Sequence, residues 1–159
     1  MTSRRNFLVA GSAVLMLPLI ACSTSSYDSV QASLATNAGQ DQLARIRSQH
    51  GLTPLAADAD LGRAALEQAR YMAASGRMNH TTGWGKDFSS RVRGNRIKGA
   101  AAENIAYGRM EPDELFLRWM NSAGHRRNML DPRFSRFGLA HAGDPRNSDR
   151  RYWALVLGS

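Results

Sequence analysis

Ala102-Glu103-Asn104-Ile105-Ala106 places a carboxylate and an amide side by side inside a run of small apolar residues. The run over residues 100–107 reads as buried, and its periodicity does not separate strand from turn. A buried polar group needs a partner, whether or not it does chemistry. Two other short settings offer one. Met78-Asn79-His80-Thr81 follows a helical run, and Ser122-Ala123-Gly124-His125-Arg126-Arg127-Asn128 follows a second. Two imidazoles and a carboxylate, far apart in the chain, are the residue types of a metal site or a buried acid–base cluster. There is no HExxH, P-loop, GxSxG or dinucleotide-binding GxGxxG to suggest other chemistry.

Outward from that stretch, the pattern predicts a helix over residues 37–50, with Leu43, Ile46 and His50 on one face and Gly51 ending it. A stronger helix is predicted over 58–75. Asp58 can cap it, Leu61, Ala65, Ala69 and Met72 form its apolar stripe, and Gly76 fits the position just past its end. This helix delivers the chain to His80. Residues 81–100 are loop-like and glycine-bearing, with a short helix over 88–93. A third helix starts near Pro112, where Asp113 and Glu114 favour its N-terminal dipole. Leu115, Phe116, Trp119 and Met120 make its buried face. Gly124 breaks it, and a turn carries His125 to Leu130. Two strands, 136–142 and 151–157, close the domain around a polar loop over 143–150.

The first residues read as a targeting segment. Ser3-Arg4-Arg5-Asn6-Phe7-Leu8 resembles a twin-arginine signal, and an apolar run follows to Ala21. Leu19-Ile20-Ala21-Cys22 resembles a lipoprotein cleavage box. The run contains Pro18 and falls short of the roughly 20 residues that a membrane span needs. The expected organisation is therefore a signal peptide over 1–21, a lipidated Cys22 with a flexible tether over 22–36, and one domain over 37–159. About 14 flexible residues would span roughly 20 Å, holding the domain close to a membrane. Cys22 is the sole cysteine, so a lipidated chain has no disulfide and must hold together by packing. The net charge is +8, or +6 without Arg4 and Arg5, and only Lys86 and Lys98 are lysines. Export argues against nucleic acid as the partner, and makes anionic phospholipid or an anionic envelope polymer the better class.

His80-Thr81 after a helical run, Glu103-Asn104-Ile105-Ala106-Tyr107-Gly108, Trp119-Met120-Asn121-Ser122 leading into Gly124-His125-Arg126-Arg127-Asn128, Phe137-Gly138-Leu139 and Tyr152-Trp153 occur in this order. The ordered set resembles the CAP superfamily, which includes the cysteine-rich secretory proteins, antigen 5 and the plant pathogenesis-related proteins. It covers roughly residues 37–158 and is closest to the compact bacterial form. The resemblance implies an α+β fold, a three-layer α-β-α sandwich with a small, mainly antiparallel sheet. In fuller members a central cleft holds two histidines and two glutamates. The resemblance places His80 and His125 on the histidines and Glu103 on one glutamate. The second glutamate falls on Ser122, which is neutral and a poor metal ligand.

Three readings of this cleft stay open. His80, His125 and Glu103 can hold Zn²⁺ with a water in the fourth place, or Glu103 can orient an imidazole by accepting its N–H. A metal-bound water with Glu103 as base would be hydrolase machinery. The third reading is a structural hydrogen-bond network. Asn104 and Asn128 are expected to bond the local backbone. Ser122 and His125 lack an oxyanion motif beside them. His50 and His141 are expected at a helix end and at the surface, and Trp119 and Trp153 in the core. Trp84 sits between Gly83 and Gly85, an exposed contact for lipid or glycan, with Arg91, Arg93 and Arg96 adding attraction to anionic headgroups. The function favoured is an extracytoplasmic, membrane-anchored binding module for lipid, envelope polymer or protein. A metal-dependent hydrolase and a scaffold are the alternatives, since a fold does not identify a reaction.

Overall fold

A five-stranded sheet lies between two layers of helix in residues 31–159, which the computed structural model describes. The expected signal segment, Cys22 and the tether up to residue 30 lie outside the described residues. In chain order the elements are β1 (Ala32–Leu34), α1 (Thr36–Gln49), β2 (Ala56–Ala57), α2 (Ala59–Ser75), α3 (Phe88–Gly94), β3 (Ala101–Gly108), α4 (Pro112–Met120), α5 (Ala123–Met129), β4 (Arg136–Asp144) and β5 (Asn147–Gly158). The sheet order is β1-β4-β5-β3, antiparallel throughout, and β2 adds a short parallel pairing to β4.

The alternation of side chains along β5 explains the two layers. Tyr152, Ala154 and Val156 face α2, whose Leu61, Ala65, Ala69 and Met72 form the predicted stripe. Trp153, Leu155 and Leu157 face the opposite way, against Leu43 of α1 and Leu115, Phe116 and Trp119 of α4. A period of two on the strand and 3.6 on the helices thus gives one sheet with two apolar faces. Burying each large aliphatic or aromatic side chain contributes about 1.5–3 kcal/mol. No helix among the described residues is long and apolar enough to cross a membrane.

The ends of α2 follow from its sequence. Asp58 accepts from Leu61 N–H at 2.9 Å, and Gly76 closes the helix at φ 68°. Three expectations need correction, and one alternative left open is decided. The tether does not extend to residue 36, because Ala32–Leu34 pairs with β4 and α1 begins at Thr36. His125 lies on a helix rather than a turn: Ser122 is extended (φ −103°, ψ 119°) and starts α5, so Gly124 sits inside a helix instead of breaking one. The ambiguous stretch around Glu103 is a strand, β3, paired along its whole length with β5. The polar loop over 143–150 is mostly strand, with β4 and β5 meeting in a tight connection and a register shift at Gly143/Asp144.

Candidate functional site

β3 is an edge strand, and its alternation sends Glu103 and Asn104 to opposite faces. Glu103 meets α3 and the segment after α2. Its side chain is 1% exposed. Nη2 of Arg91 donates to both Glu103 oxygens at 2.8 Å, and Nδ1 of His80 lies 2.8 Å from Oε1. Arg91 is itself buried, and its Nη1 donates to the carbonyls of Lys86 (3.0 Å) and His80 (3.4 Å). These are charge-assisted bonds, roughly twice as strong as neutral ones. A carboxylate accepting at Nδ1 makes that nitrogen the donor, which leaves Nε2 of a neutral His80 as an acceptor. The His80 side chain is half exposed, so its ring stands at the open side of the pair.

Arg91 was expected on the surface with Arg93 and Arg96. The structure corrects this: Arg91 is the internal counter-charge of Glu103, while Arg93 and Arg96 are exposed. The sequence carried a signal for it. Phe88, Arg91, Val92 and Asn95 stand at i, i+3, i+4 and i+7, the inward face of α3, and Asp87 caps the helix through Ser90 N–H at 2.9 Å.

Asn104 ties the other face of β3 to α5. Its Nδ2 donates to the His125 carbonyl at 3.1 Å, and its Oδ1 accepts from Asn128 Nδ2 at 2.9 Å. His125 also packs near the Trp119 ring, 6.4 Å between centroids. Burial, and secondarily the charge of His80, push the His125 pKa below the ordinary imidazole value, so the neutral ring is favoured. The structure therefore brings His80, Glu103 and Arg91 into one bonded cluster, with His125 electrostatically coupled to it. Ser122 precedes α5, and its side chain makes no cap bond. Trp84 is fully exposed.

This donor set offers a metal two imidazoles and a carboxylate already matched by Arg91. Among the described residues no group of three or more His, Cys, Asp or Glu stands together as a metal-holding set. A zinc site with Glu103 as a direct ligand does not fit this arrangement. With serine at residue 122 and arginine on Glu103, the cluster has no uncompensated carboxylate to attract a divalent cation.

Two other histidines and one arginine complete the account. His50 Nδ1 lies 2.9 Å from the Ile46 carbonyl at the end of α1. His141 is not a surface residue in the expected sense: its ring lies 4.8 Å from Trp153, and its Nδ1 is buried with no hydrogen-bond partner among the described residues. Arg47, which sequence reasoning did not single out, is fully buried and donates to the carbonyls of Thr53, Met129, Asp131 and Phe134. It ties together the loops around α5. A cavity of about 500 Å³ lies away from the histidines, between the starts of α1 and α2, lined by Leu34, Thr36, Ala38, Asp58 and Gly62 among others.

The comparisons agree on one fold. An outer surface protein of Borrelia burgdorferi superposes with a TM-score of 0.70 at 17% identity, over 81% of this chain and 98% of that one. An extracellular protein containing a SCP domain from Bacillus anthracis gives 0.65 at 24% identity, over 77% of this chain and 40% of that one. The uncharacterized protein YkwD of Bacillus subtilis (strain 168) is 33% identical over 96 residues, which is 60% of this chain but only 37% of that relative. The model of the cysteine-rich secretory protein (CAP) family matches residues 40–157. A sheet sandwiched between helices, carrying His80 and Glu103 at its open edge, is thus the setting in which the chain belongs to the CAP family.

Proposed function

We propose that this protein is an exported, membrane-anchored binding module whose cleft takes an anionic component of the cell envelope. The single observation that carries the reading is the pairing of Glu103 with Arg91. It matches the carboxylate charge internally, so that the net basic charge of the chain is left to receive an anionic ligand. Export is supported by the signal-like Arg4-Arg5 segment and the box ending at Cys22. It is also supported by the extracellular and outer-surface descriptions of the similar proteins.

A second reading is favoured by one specific feature. A histidine oriented by a buried carboxylate, with Nε2 outward, is also the arrangement of a general base. Proton NMR of the four histidine rings tests the binding reading. Short-chain phosphatidylglycerol, at monomer concentration, is expected to shift the His80 and His125 signals, while phosphatidylcholine leaves them unmoved. Zn²⁺ is expected to leave the melting temperature unchanged. A bound metal at 100 times its Kd would instead add about 2.7 kcal/mol. A Zn²⁺-dependent rise that vanishes in His80→Ala, with no headgroup effect, would defeat the binding-module reading.

A further inference from the structure

Residues 77–86 carry surface features that the cleft does not use. Of the four large exposed hydrophobic side chains among the described residues, two, Met78 and Trp84, lie in these ten residues. Trp84 stands at the tip of a four-residue turn closed by Lys86 N–H to the Gly83 carbonyl at 3.1 Å. Gly85 supplies the left-handed backbone there, at φ 68°. The segment is held from below at three carbonyls. Gln68 of α2 donates to Asn79 at 2.7 Å, and Arg91 donates to His80 and Lys86. Both holding side chains are buried. The ammonium of Lys86 also lies over the Tyr71 ring, 4.9 Å from its centroid. The tryptophan is thus presented on a fixed turn rather than collapsed against the protein.

The segment around this turn is strongly basic. Residues 77–98 hold six basic side chains and one acidic one. Arg91 is internal. The other five, Arg77, Lys86, Arg93, Arg96 and Lys98, are exposed, and none forms an ion pair among the described residues. The single acid, Asp87, is occupied as the cap of α3, with its oxygens on Ser89 and Ser90. An exposed indole flanked by unneutralised cations matches the interface of an anionic bilayer. There the ring sits at headgroup depth, and each nearby basic residue gains from the negative surface potential.

We propose that residues 77–86 form a docking loop for an anionic lipid surface. Trp84 is the interfacial anchor, and Arg91 is the positioning residue that links the loop to the Glu103–His80 pair. Docking would turn the open side of His80 toward the headgroups. The inference rests on the exported reading above, but not on what the cleft binds.

The natural fluorescence of the protein tests it. Of the three tryptophans, Trp119 and Trp153 are buried and Trp84 is fully exposed, so added quenchers report mainly on residue 84. The full chain is reconstituted into vesicles of phosphatidylcholine, with or without phosphatidylglycerol, the acyl chains being brominated in a parallel set. On anionic vesicles, quenching by the brominated chains and protection from iodide are expected. Both should disappear in Trp84→Phe. They should weaken in Arg93→Glu with Arg96→Glu and at high salt, where screening shortens from roughly 10 Å at 0.1 M to roughly 3 Å at 1 M. Trp84 remaining open to iodide and untouched by brominated chains would overturn the proposal. So would quenching equal on neutral vesicles and insensitive to salt. Protection of Trp84 by soluble cell-wall glycan in place of vesicles would also overturn it, assigning the loop to a glycan. The histidine signals under monomeric lipid report the cleft separately, so failure of the loop and failure of the cleft reading cannot be confused.

Discussion

Removing the Arg91 guanidinium would leave the Glu103 carboxylate buried with His80 as its remaining side-chain partner. Breaking a buried pair in this way costs about 3–5 kcal/mol, because the surviving charge stays desolvated. Arg91→Met is therefore expected to lower stability by that order. The double variant Arg91→Met with Glu103→Gln should lose less than the two single losses combined, with an interaction of roughly 0.5–3 kcal/mol. Urea denaturation of the four proteins checks this. Strictly additive losses would mean that the two groups do not act as a pair. At this scale the sequence made His80, Glu103 and His125 visible, because each sits in a distinctive local setting. Arg91 was hidden, since a basic residue on a seven-residue helix near other arginines reads as surface. Only the inward spacing of Phe88, Val92 and Asn95 argued otherwise. Arg47 was hidden for a different reason. Its partners are four main-chain carbonyls, and a carbonyl leaves no mark in the sequence.

Between elements, the backbone of α2 at Leu61 and Gly62 lies against β4 where Gly138 has no Cβ. A Cβ on Gly138 would lie 2.1 Å from the Gly62 backbone nitrogen and 2.4 Å from the Leu61 carbonyl carbon. Backbone cannot yield as a flexible side chain does, so Gly138→Ala must push α2 off the sheet. Overpacking of this kind costs about 1–3 kcal/mol or more. Gly124→Ala is the matched control. It lies in α5, nothing stands within 4 Å of its Cβ, and alanine is preferred over glycine in a helix by about 1 kcal/mol. The two midpoints should move in opposite directions in chemical denaturation. Long elements with caps, such as α2 between Asp58 and Gly76, were legible in the sequence. The shortest were not. β1 and β2 have three and two residues, too few to show a period, and are defined by main-chain bonds to β4. α5 was obscured because Gly124 looks like a breaker, while the actual interruption is the extended backbone of Ser122.

For the whole molecule, both apolar cores rest on opposite faces of the same two central strands, β4 and β5. Neither helical layer keeps a buried face if the sheet is lost, so the domain is expected to unfold as one unit. This makes local ionisation a global property. Burial lowers the His125 pKa first, and the charge of His80 lowers it further. Burial also lowers that of His141, with Arg151 adding to the effect and Glu111 opposing it. Both rings thus bind a proton less readily in the folded chain than in the unfolded one. Their contribution to stability is present above the ordinary value of 6.5 and is lost as pH falls through the depressed folded values. Asp58 and Asp144 act in the same sense in a lower window. Their folded pKa values lie below the ordinary 3.8, so their contribution disappears only in stronger acid. The expected profile is a first decline beginning near pH 6.5, with a slope well under the roughly 1.4 kcal/mol per pH unit of one fully coupled proton, since both rings are partly solvated. His141→Phe keeps a ring against Trp153 and removes the unpartnered Nδ1. It should flatten this first decline and leave the acid one in place. Denaturation followed from about pH 7.5 down to about pH 2, by tryptophan fluorescence and far-ultraviolet dichroism together, measures both declines. Coincident transitions with a shallower slope in the variant would join the two scales. Transitions that separate would show that one helical layer can melt while the sheet survives.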